Sequence, residues 1–521
     1  MSDAELHQRL CACLAEEDVL FDPDDRADFS VDIAGGEAMA ATVVRPRDIE
    51  ALCCAVRTAT SLGYAIVPRG SGHSYTGGVV PASSRTVMVD LTALNHVLEI
   101  DTVNRLVRVE AGCTWATLAD ALAPHGLRTP FFGPLSGYRA TVGGALSQGA
   151  AFFGSAMHGF SDRDVCGLTV VLADGDVLRT GHGGDGRPHP HVGGPDLNGL
   201  FLGDCGAFGI KAEVCLRLRK APAVEVFASF TFSDMAPMLT AQAVLAGCDG
   251  LADCFGFDPE SHANLARSGF TVIEGAEIVA DLVRRKGGIR AASRLLRQGR
   301  AQVSDMRYSL HLVVEGNSDT EALERLSQAS WLALDGGGQA VPDTIPRVTR
   351  SRPFRPIKAL LGPDGERWLP VHGVFRLSDV LPAYEAAADL LVRHQADCAR
   401  HGLRVSILTV TSGNAIVLEP QLFWPDALDR FHRRHATDEQ IRRYQDRPAR
   451  TEARAFGHRL RGELGAALRG AGAEHLQIGR YYPYEARLDP TMRRMLRSLK
   501  NALDPDGLMA PGVLIETPGG K

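Results

Sequence analysis

The stretch from Pro68 to Gly78, Pro-Arg-Gly-Ser-Gly-His-Ser-Tyr-Thr-Gly-Gly, combines residue types that could hold a phosphate. Gly70, Ser71, Gly72, Ser74, Gly77 and Gly78 have small or absent side chains. Glycine lets a backbone turn sharply and approach a ligand closely, and successive amides in such a loop can line an anion-sized hollow. The dinucleotide fingerprint is the obvious form of this chemistry, and it does not fit. After Gly70 and Gly72 its third glycine would fall on Tyr75, and a helix should follow at once. Instead Val79-Val80-Pro81 reads as a turn and Thr86–Leu91 as a strand, so Asp90, near the spacing of a ribose-binding acid, is a decoy. A glycine loop between two strands is a different phosphate site.

The loop and the strand after it resemble the pyrophosphate loop of the vanillyl-alcohol-oxidase, or p-cresol methylhydroxylase (PCMH), type of FAD-binding fold. Four further blocks keep the order: Thr141 to Ser155, Val165 to Gly181, Gly199 to Leu218, and Lys500 to Gly512. The resemblance implies an α+β chain: a two-subdomain PCMH-type FAD-binding domain with an α+β cap over the substrate. It implies FAD as cofactor, held by Arg69, Gly70, Ser71, Gly72, His73 and Ser74 of the loop. Further contacts are implied at Pro134, Leu135, Ser136, Thr141, Gly143, Gly144, Gly154 and Ile210. Gly72-His73-Ser74-Tyr75 is similar to the berberine-bridge-like branch, in which this histidine is bonded to the flavin 8α carbon. An imidazole is mostly neutral near pH 7 and can act as a nucleophile. The alternative is a histidine that only hydrogen-bonds the loop. A second flavin-linked residue, a cysteine two positions before Thr141, is replaced by Arg139.

Flavin-dependent oxidation needs hydride delivery to N5 and a group that takes or holds a proton. The resemblance points to Tyr481, with Tyr482 where phenol-oxidising relatives have an arginine, and to His475 in Glu474-His475 as a competing base. Each has the blander alternative of a buried, hydrogen-bonded core residue. Hydroxy-acid-oxidising relatives often carry paired histidines around a Gly-Asp-Gly-Asn stretch. The comparable Thr411-Ser412-Gly413-Asn414 has neither, and Glu419 with His475 is too small a ligand set, so no metal is expected.

These residues need elements to position them. A helix over 3–16 is expected, capped by Ser2, followed by an acidic, turn-rich loop through Ala38. Strand 41–46, a helix from Ile49 to Leu62 capped by Asp48, and strand 64–67 form a βαβ start that delivers the glycine loop. Hairpin strands between Val87 and Gly112, a helix from Trp115 to His125, and a hairpin over 165–180 turning at Ala173-Asp174-Gly175 follow. Pro188–Pro195 reads as a loop. From Val224 the pattern changes to strands 224–232 and 308–315 and helices near 235–247 and 321–333. Strands 373–376 and 404–411 and a helix over 378–400 continue it, and Met492–Leu503 is a final helix. The basic stretch Arg284–Arg300 reads as a solvated helix face. The expected division is a FAD-binding domain over 1–223, a cap over 224–470, and a segment 471–521 that returns to the first domain.

With 521 residues, 45% hydrophobic, 23% charged and a net charge of −6, the chain is an ordinary globular protein with nothing to attract nucleic acid or an anionic membrane. No apolar run approaches the roughly 20 residues of a membrane span, and the N-terminus lacks an apolar signal core. The 11 cysteines include no Cys-x-x-Cys, and free thiols in a reducing cytoplasm are the expectation. With these features, the resemblance implies a cytoplasmic FAD-dependent oxidoreductase acting on a small molecule, with a homodimer as the expected state. It would oxidise an alcohol or 2-hydroxy acid at a C–H next to oxygen. The alternatives are a para-substituted phenol or benzylic alcohol oxidase, or a flavin-binding homologue without turnover.

Overall fold

The computed structural model describes residues 3–181, 194–268, 307–351, 353–354 and 360–516. The chain forms two compact units, one made of Met1–Ala150, Ser161–Ala221 and Leu476–Lys521, the other of Ala151–Phe160 and Pro222–His475.

In the first unit the parallel strands Thr42–Val44, Thr86–Asp90 and Ala65–Arg69 lie side by side in that order, with Val19–Leu20 antiparallel at the edge. The helix Ile49–Ser61 starts where the Asp48 carboxylate accepts the Ala51 amide at 2.7 Å. Its Leu52, Val56 and Ala59 pack on Ile66, Val87 and Val89 in one apolar core, with Leu6 and Leu10 of the first helix beside them. Ile66 also pairs with the C-terminal stretch: its amide donates to Leu508 O, and its carbonyl accepts Ala510 N, both at 2.8 Å. A second, antiparallel sheet runs Val97–Asp101, Leu106–Glu110, Ile210–Arg217, Val165–Val171, Val177–Arg179.

The other unit is built on an antiparallel sheet ordered Gln339–Val341, Val224–Phe232, Tyr308–Gly316, Leu251–Phe257, Arg404–Ser412, Ala415–Trp424, Arg367–Pro370, with Gly373–Arg376 also on Ala415–Trp424. Side chains alternate along a strand, so the sheet has two chemically distinct faces. Helices cover one. Gln242 of the helix Met235–Leu245 bonds Thr409 at 2.7 Å and Thr411 at 3.2 Å, and Gly457 of the helix Thr451–Gly470 passes close to the Trp424 ring. On the opposite face the helices Pro259–Ser268 and Thr344–Ser351 bring buried polar groups among the rings of Phe255 and Phe257. Buried Arg350 bridges Glu225, Asp253 and Glu315, and Ser309 Oγ stands 2.8 Å from Nε2 of both His262 and His311.

Four expectations need correction. The first helix ends at Leu10 rather than 16, and Ser2 lies outside the described residues. The acidic stretch after it contains a helix, Pro23–Phe29, because Asp22 caps the Asp24 amide and Pro23 pre-sets the first turn. The expected helix over 378–400 is two, Val380–Arg393 and Gln395–His401, parted at His394, whose ring is held by Glu463 at 2.7 Å. The cysteines are not all free: Cys13 and Cys54 form a disulfide that ties the turn after the first helix to the helix Ile49–Ser61. Arg284–Arg300 and most of Pro188–Pro195 lie outside the described residues.

Candidate functional site

The glycine loop leaves strand Ala65–Arg69 at its C-terminal end. Arg69 folds beneath it, 2% exposed, and its Nη1 donates to Val79 O at 3.0 Å. Gly72, at φ +76°, passes directly over that guanidinium: a Cβ there would lie 2.1 Å from Arg69 Nη2. A Cβ on Gly70 would lie 2.4 Å from Thr141 Oγ1. Only glycine fits either position. Among the described residues the amides of Ser71 and Gly72 donate to no protein acceptor. A cation under a turn of open amides fits a phosphate-bearing group such as the FAD pyrophosphate. Farther along, Ser74 O accepts Ile33 N at 3.0 Å, and the Asp32 carboxylate accepts the Gly77 amide at 2.9 Å.

His73 is half-buried, with Nδ1 3.1 Å from Ser71 O. Burial pushes its pKa down to about 4; Arg139 and Arg69 act in the same direction, while the Ser71 contact opposes them. The ring is therefore neutral at pH 7. With the Nδ1 proton donated to Ser71 O, the lone pair sits on Nε2, the tautomer a nucleophilic histidine needs.

The other expected cofactor residues divide. Pro134, Leu135 and Ser136 form a surface turn in which Leu135 is 42% exposed and Ser136 O accepts the amides of Arg139 and Ala140. Thr141 is buried and caps the helix Val142–Gln148 through the Gly144 amide at 3.1 Å, while Gly143 N bonds Ala111 O at 2.8 Å. The amides of Gly143 and Gly144 are thus engaged within the protein, and these glycines permit close packing. Ile210 buries its side chain in the core beside Ile66 and Met509. Gly154 belongs to the second unit, its amide on Asp253 Oδ1 at 2.6 Å.

The sequence reading missed the strap Leu476–Arg480, which packs against the glycine loop within the first unit. Gln477 N donates to Gln148 O and its Nε2 to the Tyr75 hydroxyl at 3.1 Å. Gly479 presses so closely on Thr76 that a Cβ would lie 2.4 Å from Thr76 O, and its amide donates to Cys205 Sγ at 3.4 Å. Arg480 Nη1 donates to Gly77 O and, at 2.8 Å, to Val80 O, while Nε reaches Pro511 O at 2.9 Å. Tyr481 and Tyr482 follow, edge to face with ring centres 4.9 Å apart; Tyr482 is 3% exposed.

His475 ends the second unit. Its Nδ1 lies 2.9 Å from His372 O, which fixes the Nδ1–H tautomer and puts the basic lone pair on Nε2. Glu419 accepts the Gln421 side-chain amide at 2.7 Å. Among the described residues no three His, Cys, Asp or Glu side chains are grouped to hold a metal ion. Nor is any described helix long and apolar enough to cross a membrane.

Comparison with known proteins agrees with this geometry. Residues 40–181 match the FAD binding domain family. Over 186 residues, 36% of this chain and 38% of the relative, the chain is 32% identical to glycolate oxidase subunit GlcD of Bacillus subtilis (strain 168). Over 169 residues, 32% of this chain and 28% of the relative, it is 31% identical to the mitochondrial D-lactate dehydrogenase [cytochrome] 1 of Saccharomyces cerevisiae. The alignments thus span well under half the length of these curated relatives. The structure of p-cresol methylhydroxylase with substrate bound superposes over 99% of this chain and 98% of its own, with a TM-score of 0.74 and 17% identity. Residues 40–181 thus carry an FAD binding domain, and the chain has the fold seen in p-cresol methylhydroxylase.

Proposed function

We propose that the protein is an FAD-dependent oxidoreductase that takes hydride from a C–H next to oxygen, in an alcohol or a 2-hydroxy acid. The observation that carries this reading is the FAD binding domain at 40–181, together with partial sequence likeness, 32% and 31% identical over 186 and 169 residues, to proteins named for glycolate and D-lactate, both 2-hydroxy acids. The cofactor, when bound, supplies the hydride acceptor. The protein's share is to hold it through Arg69 to Ser74, to orient the substrate, and to take the hydroxyl proton. His475 is suited to the last task, because its Nδ1 contact with His372 O leaves Nε2 basic. The second unit is the substrate domain in this reading.

Oxidation of a para-substituted phenol or benzylic alcohol is the second reading; Tyr481 supports it as the group that would face the phenol, and Tyr482, standing where phenol-oxidising relatives have an arginine, weakens it. A homodimer and a cytoplasmic location belong to the same proposal. The Cys13–Cys54 disulfide weighs against a strongly reducing compartment.

The test is anaerobic reduction of the bound flavin, followed by its absorbance, against 2-hydroxy acids, simple alcohols and para-substituted phenols. Bleaching by a hydroxy acid or alcohol supports the first reading, and bleaching by phenols alone supports the second. A yellow protein that no substrate class reduces would make it a binding protein without turnover. In the first case His475→Ala should slow reduction by roughly 100- to 10,000-fold, the usual worth of a general base, while Tyr481→Phe has the larger effect in the second.

A further inference from the structure

We propose that Gln477 and Arg480 are cofactor-binding residues that hold the polar edge of the flavin's pyrimidine ring. Arg480 Nη2 would donate to a ring carbonyl, and Gln477 Oε1 would accept from the ring N–H. The inference rests on the FAD reading above and deepens it.

Two independent observations converge on the strap. First, Arg480 Nη2 and Gln477 Oε1 are buried polar atoms with no hydrogen-bond partner among the described residues, although the other polar atoms of both side chains are satisfied. A buried group left without its hydrogen bond is costly, and most so when it is charged. Two such atoms three residues apart in sequence, both on the strap against residues 75–80 of the glycine loop, mark a place where a ligand completes the set. Second, the backbone is strained here. Gln477 at φ +48° and Cys205 at φ +51° are non-glycine residues in the left-handed region, and Gln477 N and Gly479 N are tied to Gln148 and Cys205 respectively. Strain of this kind persists where the surrounding structure over-determines it, characteristically at ligand clamps.

The chemistry selects the part of the cofactor. A pyrophosphate presents only acceptors, and the Gln477 amide oxygen would repel it. The pyrimidine edge of a flavin alternates carbonyl, N–H and carbonyl, and so takes one donor and one acceptor side by side. The position agrees. The strap packs against Tyr75–Val80, beyond His73, rather than against Gly70–Gly72, where the phosphates are expected. A guanidinium at a ring carbonyl also stabilises negative charge in the reduced ring, so the strap would raise the flavin's potential.

The experiment uses the full chain carrying His73→Ala, so that the cofactor exchanges, and measures affinity for FAD, for N3-methyl-FAD and for ADP, which lacks the ring. Gln477→Leu and Arg480→Lys are then added singly. Expected are a loss in FAD affinity of about ten- to hundredfold for Arg480→Lys, the range for a bond to a charged group, and of about three- to tenfold for Gln477→Leu, the range for a neutral one, with an unchanged ADP affinity. N3-methyl-FAD should bind the unmutated strap about tenfold more weakly than FAD, a penalty that Gln477→Leu abolishes. Equal losses for FAD and ADP, or equal binding of FAD and N3-methyl-FAD by the unmutated strap, would overturn the assignment while leaving the FAD reading intact. The N3-methyl comparison needs no strap variant, so a variant that fails to fold leaves the assignment exposed to refutation. A wild-type chain that takes up no FAD at all would instead remove the reading beneath it.

Discussion

Replacing Gly72 by alanine should damage the glycine loop far more than the loss of a hydrogen atom suggests. The residue sits at φ +76°, where an L side chain costs about 1–2 kcal/mol. The new Cβ would also lie 2.1, 2.4 and 2.7 Å from Nη2, Cζ and Nε of Arg69, so the guanidinium must leave. That breaks its buried bond to Val79 O at 3.0 Å, a charged-group hydrogen bond worth about 1.5–3 kcal/mol. The total is roughly 3–5 kcal/mol, which lowers the melting temperature of the first unit by on the order of 10 °C. Gly77 is the control. It has nearly the same φ, +74°, but the nearest atom to its Cβ is Arg480 Cβ at 3.9 Å, so Gly77→Ala carries only the backbone cost. Differential scanning fluorimetry of the two variants, with FAD titration of each, measures the difference. Equal shifts for Gly72→Ala and Gly77→Ala would refute the claim that the loop is built around the Arg69 guanidinium.

If His73 carries the flavin, acid denaturation leaves the colour on the polypeptide, whose mass exceeds the sequence mass by one FAD; an unmodified mass rules the bond out. Because burial lowers the His73 pKa from 6.5 to about 4, the unfolded chain binds the extra proton first. Its contribution to stability is therefore complete above pH 6.5 and lost as pH falls through about 4, by at most about 3 kcal/mol. Urea titrations of wild type and His73→Ala in this window should converge towards acid, and parallel curves would contradict it. Lys211 Nζ lies 2.6 Å from Asp204 Oδ1 and from Phe201 O in a buried pair. Lys211→Met should cost about 3–5 kcal/mol, largely recovered by adding Asp204→Asn, as a double-mutant cycle would measure. Reducing Cys13–Cys54, which spans 41 residues, should destabilise the first unit by up to about 4 kcal/mol. A melting temperature unmoved by a dithiol reductant would show that packing of Leu6 and Leu10 alone holds the first helix.

Local signals carried most of what could be read in advance. Asp48 before an apolar periodic run, the glycine loop between strands, and Ala173-Asp174-Gly175 between alternating runs each act through neighbours a few residues away, and each element formed there. The helix Pro23–Phe29 was equally local but masked by its acidic composition, although Asp22-Pro23 is a good start signal. Other features depend on distant partners. Nothing in Gly479-Arg480-Tyr481 marks the arginine as an anchor for carbonyls 403 and 400 positions earlier. The disulfide pairs one member of each close cysteine couple, a choice set by how the turn after the first helix meets the helix Ile49–Ser61. Gly143 and Gly144 look like ligand-facing glycines in sequence, yet their amides are bonded to Ala111 and Thr141, and only the folded backbone distinguishes the two uses.

The first unit is interrupted, and that has a consequence for how the protein is made. Its apolar core needs Met509 beside Ile66, and its glycine loop needs the strap at 476–480. A ribosome that has released Ile66 must still synthesise the whole of Pro222–His475 before either partner emerges. At about 5–20 residues per second that interval is tens of seconds. During it the nascent N-terminal half exposes strand and loop surface with no partner, while the second unit, whose two segments Ala151–Phe160 and Pro222–His475 both precede the strap, can already fold. Cofactor loading is then a late event, and the half-made first unit is the stage at which chaperone binding or aggregation would act on this chain.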